Sequence, residues 1–237
     1  MTLEVNAAIS GAYDAGATEI VVSDSHWQGN NIDMELLNPR VRIVRGFPRP
    51  LGMMQGIDKT FDAVVFVGYH ASEQQYNAIL AHMEDGDKIS AVKLNGIAVP
   101  EAGFNAAIAG DLGVPVVFLS GDKAACEEAT HLLGPIETVI VKSGSGFYSG
   151  TMLHPETVQR MIREGVKRGI ESRSNLKPYR VAHPVKFEIT FKETFYAEVV
   201  SYFRNVERPT ANSIVYTATD MTDASRFFSA IGYLHDE

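Results

Sequence analysis

A single cysteine, Cys126, among 237 residues leaves no intrachain disulfide to form, so a packed core must hold the fold. It sits in a helical pattern without a His or second Cys at ligand spacing and reads as a small buried residue. Gly numbers 20 and Pro 10, too few for a collagen-like or low-complexity chain. No apolar run approaches the roughly 20 residues of a bilayer span. The longest, such as Val114-Pro-Val-Val-Phe-Leu119, are strand-sized. The charged start and continuous apolar run of a signal peptide are also missing. Basic runs are absent too: Lys+Arg 21 against Asp+Glu 29 gives a net charge of −8. Phosphate binding needs a clustered positive field, so nucleic acid is excluded as a partner. These absences predict a cytoplasmic chain that engages neither membrane nor nucleic acid.

What is present suits an α/β fold. Hydrophobic residues make up 45% of the chain, ample for a large core. The opening residues, MTLEVNAAISGAYDAG, place Leu3, Val5, Ala8, Ile9 and Ala12 near helical spacing and end on Gly16, a natural helix stop. Thr18-Glu-Ile-Val-Val-Ser23 then reads as a buried strand. Further strands are predicted at 41–45, 61–67, 114–119 and 138–141, with a tight hairpin of 89–94 and 97–99 around Asn95-Gly96. Helical patterns at 101–112, 123–133 and 155–173 lie between them, the second capped by Asp122. Near-continuous apolar strands alternating with helices predict a mainly parallel sheet with helices on both faces. After the polar stretch 172–178 the pattern changes: Val185-Lys-Phe-Glu-Ile-Thr-Phe-Lys192 alternates strictly, as in a sheet with one wet face. Helices at 195–203 and 221–233 and a strand at 213–218 complete a small α+β (βαβα) part. The expected domains are an α/β core over 1–178 and an α+β subdomain over 179–237.

The histidines carry the chemical signal. His26 closes one strand in Ser-Asp-Ser-His, and His70 closes another in Val-Gly-Tyr-His. Open parallel sheets bind ligands just beyond their strands' carboxyl ends. The two imidazoles can therefore meet at a metal such as Zn²⁺, or be unrelated loop histidines. His82, in Ile79-Leu-Ala-His-Met83, reads as a third ligand, a general acid/base or a packed core residue. Glu101 follows Pro100 where the hairpin enters a helix; it is either an N-terminal helix charge or a carboxylate ligand. Asp24 is either a turn residue or a group that orients His26. His131, His154, His183 and His235 read as solvated or capping. Ser143-Gly-Ser-Gly146 lacks the Lys-Ser/Thr of a phosphate loop.

Taken together, the stretches 18–26, 61–71, 81–83, 95–105 and 114–122 resemble the M55 family of metallopeptidases. Similarity continues more weakly through Val141-Lys142, the start of the helix at 155 and the C-terminal part. The resemblance implies a zinc-dependent aminopeptidase, with one or two Zn²⁺ ions, that releases an N-terminal (D-)amino acid such as D-Ala from short peptides. It implies that His26, His70 and Glu101 are metal ligands and that His82 is catalytic. It also implies a homo-oligomer, a decameric ring enclosing its active sites. The family pattern opens with a strand ending in Asp-x-Glu, which supplies a bridging ligand. Here Thr2-Leu-Glu4 already matches the helix after that strand, and no Asp-x-Glu follows a strand pattern elsewhere. The chain is thus expected to lack that strand and two ligands. The alternative is a catalytically impaired member serving as an oligomeric or metal-binding scaffold.

Overall fold

The computed structural model describes residues 1–232, so the predicted helix end at Tyr233 and His235 lie outside the described residues. In chain order the elements are α1 (Thr2–Asp14), β1 (Val21–Ser23), β2 (Arg42–Val44), β3 (Val64–Tyr69), β4 (Ile89–Leu94), β5 (Ile97–Ala98) and α2 (Glu101–Asp111). Then come β6 (Val116–Asp122), α3 (Lys123–Leu133), β7 (Glu137–Gly146), β8 (Ser149–Met152) and α4 (Pro155–Glu171). The chain continues with β9 (Val185–Phe191), α5 (Thr194–Val200), β10 (Val206–Glu207), β11 (Ser213–Ala218) and α6 (Met221–Gly232).

Local chemistry sets several of these boundaries. Asp122 caps α3 by accepting the Ala125 N–H at 2.8 Å, and His154 caps α4 with Pro155 in its first turn. The Asn95-Gly96 turn holds both residues at positive φ, 49° and 85°, the mirror-image geometry that matches strand twist in a two-residue hairpin.

The parallel strands form two ladders, β1 with β2, and β3-β6-β7 extended by an antiparallel β8. All seven residues of β6 are buried, as a strand covered on both faces requires. Val117 and Phe118 pack with Ala8 and Ala12 of α1 and Val158, Ile162 and Val166 of α4. Val116 and Leu119 belong to the main core, which also takes Cys126 and Ala129 from α3.

The expectation of a mainly parallel sheet is corrected by a five-stranded antiparallel sheet in the order β10-β11-β9-β4-β5. It takes strands from both sides of residue 178: β4 pairs with β9 from Ile89↔Phe191 to Leu94↔Phe187. The reason is burial. Alternating residues of β9 are buried, so this sheet packs on one face and needs no helical crossover between neighbours. Its packed face meets α2 and α6, where Phe104, Phe187 and Phe228 sit with ring centroids 5.2–5.3 Å apart. Residues 101–110 of α2 are all buried. That helix is the common wall between the two halves of the fold.

Candidate active site

The site collects where β3, the loop after it and the first turn of α2 meet. Strand β3 does not run straight into His70. Its pairing with β6 shifts between Val67 and Tyr69, and Gly68 between them has φ +77°, which an L side chain adopts only at a cost. The Gly68 N–H is taken by Ser120 Oγ at 3.1 Å. Such an irregularity at a strand end re-aims the side chains that follow it.

His70 Nδ1 lies 3.1 Å from the Ile79 carbonyl oxygen. A carbonyl only accepts, so Nδ1 carries the hydrogen and Nε2 is the ring's free lone pair. Burial holds the His70 imidazole below its ordinary pKa, which favours the neutral, metal-binding form. The His82 ring stands 4.8 Å from it, centroid to centroid. His82 directs Nδ1 at the Leu80 carbonyl, 2.6 Å away, and Nε2 at Glu101 Oε1, 3.5 Å away.

Glu101 is only 4% exposed yet occupies a helix first turn, where backbone N–H groups favour negative charge. Oε1 accepts the Glu84 N–H at 2.8 Å. Burial pushes this carboxyl up to about 7, against the Glu84 amide, which lowers it. Asn105, one turn further along α2, is buried and donates to Tyr69 Oη at 3.1 Å. Burial, reinforced by the Glu101 charge, raises the Tyr69 hydroxyl. That phenol remains a hydrogen-bonding group at any ordinary pH.

The fold thus brings His82 beside both His70 and Glu101. His26 is exposed beyond β1, and its ring makes no hydrogen bond or ion pair within the described residues. Among those residues, no three His, Cys, Asp or Glu side chains form a closed metal-holding group. Asp24 serves its turn rather than the His26 ring: Oδ2 accepts Ile32 N–H at 2.7 Å and Oδ1 takes Asn31 Nδ2 at 3.3 Å. The sequence Asp33-Met34-Glu35 is likewise a turn, with Asp33 Oδ1 accepting Glu35 N–H at 2.9 Å. Cys126 is buried and burial pushes its thiol up to about 12, which leaves it a packing residue. The 143–146 stretch forms part of the β7–β8 hairpin.

Glu84, Tyr69 and Asn105 were not singled out by sequence reasoning. The Glu84 contribution is a backbone amide and has no sequence signature. Asn105 left a faint one: a polar residue four positions after Glu101 in an otherwise apolar helix.

A model of the M55 peptidase family, described as D-aminopeptidase, matches residues 1–230. The D-aminopeptidase of Bacillus subtilis (strain 168) is 31% identical over 225 residues, spanning 94% of this chain and 81% of that protein. A solved structure, the zinc-dependent D-aminopeptidase DppA from Bacillus subtilis, a self-compartmentalizing protease, matches with a TM-score of 0.93 and 28% identity. That match covers 97% of this chain and 84% of the other. With the family's pattern running through almost all of the described residues, the chain belongs to the M55 D-aminopeptidases, which are peptidases and therefore hydrolases.

Proposed function

We propose that this chain is a zinc-dependent aminopeptidase that releases N-terminal D-amino acids, D-Ala among them, from short peptides. The observation that carries the reading is the cluster of His70, His82 and buried Glu101 at one sheet end. Neutral imidazole and carboxylate form the nitrogen and oxygen donor set that Zn²⁺ takes at hydrolytic sites, so the residues present fit this ion. His70, through Nε2, and Glu101 would hold it, with His26 as the ligand supplied from the end of β1. When bound, zinc supplies Lewis acidity for the scissile carbonyl and acidifies a water.

The chain's own groups do the rest. His82 keeps Nδ1 fixed on the Leu80 carbonyl, so Nε2 is the one ring atom that can take up or return a proton beside Glu101. Its position suits donation to the oxygen that gains charge as the peptide carbonyl is attacked. The Glu84 amide holds the Glu101 carboxylate in place for its task. Tyr69 and Asn105 fill the remaining polar wall beneath it.

The test is hydrolysis of D-Ala-D-Ala and D-Ala-para-nitroanilide, with the L-Ala substrates as controls. D-Ala release that stops on chelation and returns with Zn²⁺ is the expected result. Absence of turnover under any divalent metal would overturn it. The exposed position of His26 favours a second reading, a metal-binding scaffold without catalysis. Tight zinc retention with no hydrolysis would establish that alternative.

We also infer that the chain assembles into a closed homo-oligomer, a decameric ring of 25.9 kDa subunits, in line with the self-compartmentalizing relative. Light scattering on the eluted protein measures the mass directly. A monomer at all working concentrations would refute the ring.

A further inference from the structure

The loop joining β3 to β4 carries His82 and buttresses His70, and one of its ties to the sheet is a buried carboxylate. Asp122 ends β6 and is 1% exposed. Its Oδ1 accepts the Ala125 N–H that caps α3, and its Oδ2 accepts the Ile79 N–H at 2.6 Å. Capping uses one oxygen; the second reaches 43 residues back along the chain.

The next link is the Ile79 carbonyl, the group that receives His70 Nδ1. The peptide containing that carbonyl is gripped on its other side as well, since Leu80 N–H donates to the Phe147 carbonyl at 2.9 Å. Leu80 itself has φ +52°, a conformation that a leucine keeps only when its surroundings impose it. Asp122 and the β7–β8 hairpin therefore clamp a short strained segment whose carbonyl faces an imidazole.

We propose that Asp122 is a positioning residue for His70: by holding the Ile79 backbone from its N–H side it keeps the Ile79 carbonyl on the imidazole, fixes the Nδ1–H tautomer and leaves Nε2 as the acceptor nitrogen. This rests on the reading of His70 as a zinc-holding residue. Groups that orient a metal-binding histidine from behind typically alter metal affinity by about 10–100-fold when removed.

The decisive variant is Asp122→Asn in the full chain. Asparagine still caps a helix well, but its amide group cannot accept from both Ala125 and Ile79. Glu128→Gln is the control. Glu128 accepts Ser72 N–H at 2.8 Å and Ser72 Oγ–H at 2.5 Å, so the control loosens the same loop without touching Ile79. The first readout is the nitrogen-15 spectrum of the metal-free imidazoles near pH 8, with His70 assigned by its loss in His70→Gln. The second is zinc affinity from competition with a chelator of known strength.

The wild-type ring is expected as Nδ1–H. Asp122→Asn is expected to give a tautomer mixture and about tenfold or more weaker zinc binding, with Glu128→Gln near wild type in both. A wild-type Nε2–H ring overturns the proposal without any variant, and so decides the matter if Asp122→Asn does not fold. An unchanged tautomer in Asp122→Asn overturns it too, even if zinc binding falls. Equal losses in Glu128→Gln would do the same, by showing a general loosening of the loop. A wild-type chain that binds no zinc would sink the proposed function, while the tautomer readout would still decide the role of Asp122.

Discussion

Glu101 shows how a residue at a helix start becomes chemically poised. Its carboxyl, held near 7 by burial rather than at its ordinary 4.5, keeps a proton in the folded chain that the unfolded chain has already released. Folded protein binds more protons across that window, so stability is greatest below about 4.5 and falls as pH rises through 7. Metal-free protein should lose stability between pH 5 and 8 through this carboxyl and the neighbouring Glu84 carboxyl, which is raised as well. Glu101→Gln should weaken the dependence, as read by urea unfolding at both pH values. Zinc must displace the same proton, so its affinity should rise over that interval and lose the slope in the variant. His82→Ala is expected to lower kcat by about 10²–10³ with a small change in KM, measured on D-Ala-para-nitroanilide. An unchanged kcat would remove His82 from the chemistry. Whereas His82, in mid-loop, was marked only by the family resemblance, the sequence exposed His70 and Glu101 because a strand end and a hairpin exit are readable positions. It concealed the Glu84 amide and the second oxygen of Asp122, since backbone hydrogen bonds leave no mark on residue type.

Elements were legible where their limits are local. The Asn95-Gly96 turn, the Asp122 cap and the Pro155 helix start each follow from side chains a few residues apart. Strand partners were not, because β4 and β9 find each other across about a hundred residues and only packing selects that pairing. Two glycines test the element level. Gly68→Ala forces a side chain into positive φ at a cost of about 1–2 kcal/mol and should displace His70, so activity should fall further than the melting temperature suggests. At Gly11 α1 comes close to the α4 backbone: a methyl there would lie 2.2 Å from the Arg163 carbonyl oxygen. Gly11→Ala should destabilise the protein by about 1–3 kcal/mol in denaturant unfolding while leaving the zinc affinity of the folded protein unchanged.

At the scale of the whole molecule, one buried cluster takes side chains from both sides of residue 178, with Val92 and Leu94 packed among Phe187, Ile189 and Ile214. His70 follows β3, which pairs with β6, and Glu101 opens the buried helix α2, whereas His26 lies three residues beyond β1, which among the described residues pairs only with β2. A ladder that short should open far more often than β6, bonded on both sides. Deuterium uptake at residues 21–23 and 42–44 should thus be complete while 116–122 remain protected, and saturating zinc should slow the first group selectively. Unchanged exchange at 21–26 in a zinc-loaded chain would mean that His26 takes no part. Assembly of the donor set then becomes a folding step of its own. The protein would tighten its front edge when it captures the ion, and the free energy of that ordering would be subtracted from its apparent affinity for metal.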